Sequence, residues 1–133
     1  MSSIFTRIIN GEIPSYKIAE DEKCFAFLDV SPLAKGHTLV VPKKETDYIF
    51  DISDEDHQYL WNYAKKIARA VEAAIPCKRI GIAVIGLEVP HAHIHLIPMN
   101  KVSDMNFANP KLKVSEDEMS EIASRIRSAF LKI

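Results

Sequence analysis

The residues best suited to chemistry lie in one short stretch, Pro90-His91-Ala92-His93-Ile94-His95-Leu96-Ile97-Pro98. Three of the chain's 5 histidines fall there, at every second position. A strand turns successive side chains to opposite faces. His91, His93 and His95 are therefore predicted to share one face, about 7 Å apart, with Ala92, Ile94 and Leu96 turned to a core. A row of imidazoles supports two chemistries. Neutral imidazole is a common Zn²⁺ ligand, and His-x-His on a strand can give one ion two nitrogens, with other ligands from elsewhere in the fold. Neutral imidazole is also a nucleophile toward phosphorus or a carbonyl carbon, with flanking rings setting its tautomer and supplying a proton. A histidine cluster with no role is the third reading. It is disfavoured because a polar row opposite an apolar row is costly to keep without use.

The elements that must hold this row follow from pattern. Ser3 before IFTRII predicts a short helix closed near Asn10-Gly11, with Pro14 at its exit. Tyr16 to Glu20, residues 23–30 (KCFAFLDV), 37–41 (HTLVV), 79–85 (RIGIAVI) and His91 to Pro98 read as about five strands. Ser53 caps a long helix over 54–75, whose Leu60, Tyr63, Ala64, Ile67, Ala68, Val71 and Ile75 form one apolar stripe stopped by Pro76. A last helix is predicted over about 115–131, with Ser115 and Glu118 at capping-box spacing and Ile122, Ile126, Ala129 and Phe130 inward. Strands 23–30 and 37–41 are too close in sequence for a parallel crossover, so they pair antiparallel. The predicted class is α+β, an antiparallel sheet with two main helices on it.

Composition sets bounds on the rest. With 133 residues the chain is expected to form a single domain, 1–133, with a core that needs no disulfide. Lys and Arg number 17 against 18 Asp and Glu, a net charge of −1, which argues against a nucleic-acid binder. No apolar run approaches the ~18 residues of a membrane span. The start, MSSIFTRIINGE, lacks a long apolar segment, so no signal peptide is expected. Cys24 and Cys77 are expected as reduced buried thiols, and a cytoplasmic location follows.

Four blocks, in order, carry a resemblance. They are residues 3–14 (SIFTRIINGEIP), 25–32 (FAFLDVSP), 36–43 (GHTLVVPK) and 86–98 (GLEVPHAHIHLIP). Together, over roughly residues 3–100, they resemble the histidine triad (HIT) family, whose signature alternates histidine with apolar residues. The resemblance implies a nucleotide hydrolase or transferase of the phosphoramidase and dinucleoside polyphosphate hydrolase branch. It would act at an α-phosphate, with no cofactor. His93 would be the nucleophile and carry a nucleotidyl intermediate, with His91, His95 and the buried His37 in support. Asp29 would bind ribose hydroxyls, the alternative being a cap of the turn before Ser31-Pro32. Phe5, Ile8, Phe27, Leu28 and Val30 would line the base pocket, the alternative being plain core. Glu88 and Val89, after Gly86, would lie at the phosphate.

Departures from the family pattern bear on activity. Many relatives carry Cys-x-x-Cys near the start and a later His that build a structural zinc site with a triad histidine. This chain has Ser3, Thr6 and Glu45 there, so no metal is expected. Leu87 replaces a glutamine in a short apolar loop, and Glu88 would repel phosphate. A nucleotide-binding module with little turnover, or a metal-binding protein using the triad, are the alternatives. Trp61, Tyr63 and Tyr59 give the long helix more apolar surface than one stripe needs. The resemblance implies a homodimer joined through this helix and a sheet edge, with an AMP-type nucleotide as small-molecule partner. Met99-Asn100-Lys101 replaces an arginine common after the final proline, leaving the leaving-group contacts unassigned.

Overall fold

The computed structural model describes residues 2–133. In chain order the elements are helix α1 (Ile4–Ile9), strands β1 (Lys17–Glu20), β2 (Cys24–Leu28) and β3 (Thr38–Pro42), helix α2 (Asp54–Ala74), strands β4 (Arg79–Ala83) and β5 (Ile94–Met99), and helix α3 (Glu116–Phe130). The five strands form one antiparallel sheet in the order β1-β2-β3-β5-β4. This is the α+β architecture that the hydrophobic periodicity implies.

Alternation along the strands sorts the two faces. Cys24, Ala26, Leu28, Val40, Ile94 and Leu96 pack with Leu60 and Ile67 of α2 and with Ile122 and Ile126 of α3. Each fully buried aliphatic side chain there stabilises the fold by roughly 1.5–3 kcal/mol. Phe25, Phe27, Leu39 and Val41 face the other way and pack with Phe5 of α1. The histidines lie on this second side, so α1 rather than a long helix flanks them.

The caps explain where the helices begin. Ser3, Ser53 and Ser115 each accept a hydrogen bond from the backbone N–H three residues on. The expected capping box at Ser115 is only half made, because the Glu118 carboxylate pairs with Lys35 Nζ at 2.7 Å. Gly36 has φ +93°, and a Cβ there would lie 2.8 Å from Ile75 Cγ1. Only glycine lets the β2–β3 loop pack this close to the end of α2.

Two expectations need correction. The last strand begins at Ile94, not His91: its ladder with β3 stops at the Val40–Ile94 pair, although β3 itself runs on to Pro42, and residues 91–93 lie outside the strand. There the chain instead bends through His91 N–H to Val89 O and Ala92 N–H to Thr46 O. Cys77 is half-buried rather than buried; both cysteines are free, and burial pushes the Cys24 thiol up to about 12, where it is inert.

Candidate active site

Hydrogen bonds fix the tautomers of four imidazoles, in two pairs: His37 with His95, and His93 with the backbone of His91. Leu33 N–H donates to His37 Nδ1 at 3.0 Å. A backbone N–H can only donate, so His37 carries its proton on Nε2 and donates it to His95 Nδ1, at 3.0 Å. His95 therefore carries its proton on Nε2. His93 Nδ1 sits 2.8 Å from the carbonyl oxygen of His91. A carbonyl can only accept, so Nδ1 is protonated and Nε2 of His93 holds a lone pair. His91 donates from Nε2 to the Pro42 carbonyl at 2.7 Å and accepts at Nδ1 from the Ser3 hydroxyl, also at 2.7 Å.

The outcome is one free lone pair beside one free N–H. Among the described residues neither Nε2 of His93 nor Nε2 of His95 has a hydrogen-bond partner, and the two rings meet edge to face at 4.9 Å between centroids. His91, by contrast, uses both nitrogens on protein partners. The three triad rings therefore do not converge on one ion. The closest metal-like grouping is Asp29, His37 and His95, with ligand atoms within 4.8 Å of one another, but the two imidazoles there already hydrogen-bond each other.

Burial disfavours the charged form of His37, His95 and His91. It pushes His37 down to about 3 and His95 down to about 4, with each neighbouring imidazole adding to the effect, and it lowers His91 as well. Asp29 Oδ2 lies 3.6 Å from His37 Nε2, but a ring this reluctant to protonate makes no ion pair. Burial also raises the Asp29 carboxyl above its ordinary range.

The residues read from the sequence fall into four groups. Phe5 and Phe27 are buried against the triad side, Phe5 standing 4.8 Å from the His93 ring, while Ile8 and Val89 pack on them half-buried. Asp29 makes the turn contact, accepting Ser31 N–H at 2.8 Å through Oδ1, and keeps Oδ2 on the histidine side. Val30 and Glu88 are exposed next to it. Leu28 is a correction: its side chain packs with α2 and α3, on the far face from the histidines. Strand alternation with Phe27 already carried that signal.

The positions where zinc ligands would stand are also brought together. Ser3 N–H and the Thr6 hydroxyl donate to Glu45 Oε1 at 2.7 and 2.6 Å, and Ser3 Oγ bonds His91 Nδ1. These contacts hold the Glu45 carboxyl down at about 2. Two hydroxyls and a carboxylate already bonded to one another are a poor donor set for zinc, which takes thiolate, imidazole or free carboxylate. The cluster ties α1 to the triad by hydrogen bonds instead.

Sequence reasoning missed a wall of the site. Phe107 packs edge-on against His95 at 5.0 Å and against His37 at 6.4 Å. Lys111 follows it, and its charge is felt by both Asp29 and His37. No periodicity marks residues 99–114, so only tertiary packing places them here. Two cavities, of about 250 Å³ beside Lys23 and Tyr59 and about 570 Å³ between Trp61 and Ile82, lie away from the histidines.

Residues 10–102 match the family model described as HIT domain. The chain belongs to the HIT domain family. A relative named adenosine 5'-monophosphoramidase hnt1, from Schizosaccharomyces pombe, is 33% identical over 131 residues, which covers 96% of this chain and 98% of that protein. An uncharacterized HIT-like protein of Borreliella burgdorferi is 35% identical over 131 residues, covering 92% of this chain and 94% of its own. The crystal structure of a Hit-like protein from Bartonella henselae superposes with a TM-score of 0.84 at 32% identity, covering 96% of both chains. In this chain His91 and His93 stand against Phe5 of α1, and His95 follows them near the start of β5.

Proposed function

We propose that this HIT chain transfers and hydrolyses nucleotidyl groups at the α-phosphate, with His93 as nucleophile. The observation that carries this is the 2.8 Å bond from His93 Nδ1–H to the His91 carbonyl, which leaves the Nε2 lone pair facing out beside the N–H of His95. In the first step Nε2 forms a bond to phosphorus, and the bond to the leaving group breaks with its electron pair. The leaving group takes a proton from solvent. His95 Nε2–H donates a hydrogen bond to the phosphoryl or leaving atom as charge builds there. Water then forms a bond to phosphorus and gives up one proton to solvent, the P–Nε2 bond breaks with its electron pair returning to the His93 ring, and the nucleotide departs. The phosphoramidase name of the fission yeast relative supports adenosine phosphoramidates as substrates, with dinucleoside polyphosphates the other class. Asp29 would hold the ribose diol, Phe5, Ile8 and Phe27 the base, and Val89 with its neighbours the phosphate.

Trapping tests the reading. The protein is incubated with a slow adenosine phosphoramidate, quenched, and searched by mass spectrometry for AMP on His93. His93→Ala should lose turnover and adduct while nucleotide affinity stays within about tenfold, or ~1.4 kcal/mol. Turnover near the wild-type rate in that variant would remove His93 from the role.

No helix among the described residues is long and apolar enough to cross a membrane. We place the protein in the cytoplasm, as its unpaired thiols suggest. We further propose a homodimer, supported by β4 standing at the sheet edge with Ile82 half exposed beside the groove under Trp61. Light scattering should give twice the chain mass, and Ile82→Lys should halve it; a wild-type monomer would exclude this.

A further inference from the structure

Burial keeps His37 and His95 uncharged, and the carboxylates beside them, Asp29 and Glu88, are acidic groups on a site meant for an anion. Something else must balance a phosphate chain. Among the lysines and arginines, the one whose charge is felt by both Asp29 and His37 is Lys111. It is held in place rather than left to wander: Nζ donates to the Phe107 carbonyl at 2.6 Å and the Asn109 carbonyl at 3.4 Å, and lies 6.0 Å from the Phe107 ring centre. Its loop is pinned in turn. Leu112 N–H bonds Pro32 O, next to the Asp29 turn, at 2.8 Å, and the Asn109 amide bonds Ser103 O, also at 2.8 Å. Phe107 then rests on His95. Among the described residues Lys111 forms no salt bridge, so a fixed ammonium with one hydrogen free borders the site with no anion of its own.

We infer that Lys111 is the anion-binding residue of this site, holding the phosphate chain of the nucleotide on the His95 side. This rests on the nucleotidyl-transfer reading and narrows it: substrates whose leaving group carries phosphate are favoured over those with a neutral amine. Lys111 does the charge work that neither Leu87 nor Glu88 can do.

Calorimetric binding of adenosine, AMP and ADP to the whole protein tests it. In Lys111→Met, AMP should bind roughly tenfold to a hundredfold more weakly, the range for losing a charged hydrogen bond. ADP should lose at least as much, and adenosine should be unchanged. Lys111→Arg should recover most of the loss, and added salt should shrink the difference. A parallel loss for all three ligands makes Lys111 a packing residue and overturns the inference, as does unchanged AMP binding. The readout is separate from turnover. A protein that binds AMP through Lys111 but forms no adduct on His93 sinks the catalytic reading alone, and one that binds no AMP sinks both.

Discussion

Acid should destabilise this protein at a pH where its carboxylates are still ionised. His37 is 1% exposed and His95 is 8% exposed, with burial holding them down to about 3 and about 4 against an ordinary value of 6.5. In the unfolded chain both rings return to that ordinary value. Below it the unfolded state binds protons that the folded state refuses, so stability is complete above about pH 6.5 and falls as pH drops toward 4. At pH 5.5 an unfolded histidine is about ten-elevenths protonated, which costs the fold roughly 1.4 kcal/mol per ring. Two rings remove about 3 kcal/mol relative to pH 7.5, and the lowered His91 adds to that. The figure hardly depends on how far below 5.5 the folded values lie. Asp29 runs the other way, because its raised carboxyl gains stability as it protonates. Urea unfolding at pH 7.5, 6.5 and 5.5 should show midpoints falling in step. A loss below about 0.5 kcal/mol at pH 5.5 would mean the rings charge inside the folded protein. The chain of tautomers from Leu33 to His95 would then be wrong, and with it the donor role of His95.

Asp29→Ala should weaken ribonucleotide binding more than deoxyribonucleotide binding, read as a ratio of Kd values so that damage to the Ser31 turn cancels; equal losses would refute the ribose role. Ser3→Ala removes a helix cap, worth about 1 kcal/mol, and leaves the buried His91 Nδ1 with only the more distant Thr6 hydroxyl at 3.4 Å. The expected loss is about 2 kcal/mol in urea unfolding, and a change under about 0.5 kcal/mol would show that Ser3 does not hold His91 in place.

Residues 91–98 carried the main functional signal openly. Histidine at every second position, with Ala92, Ile94 and Leu96 between, puts imidazoles on one side and apolar groups on the other because side chains in extended chain alternate, although only His95 of the three lies in β5. The long helix, its Ser53 cap and the antiparallel pairing of β2 with β3 were equally legible, being local in period or loop length. The tautomers were not. That of His93 follows from the neighbouring His91 carbonyl and that of His37 from Leu33, but that of His91 depends on Pro42 and on Ser3, 88 positions away, and no local pattern links a hydroxyl to an imidazole across that distance. The same holds for Phe107 and Lys111. Their stretch has neither helical nor strand periodicity, and only the docking of Leu112 on Pro32 brings it to His37. Sequence alone decided which rings stand in a row; the folded chain decided which of their nitrogens carry protons and what closes the site beside them.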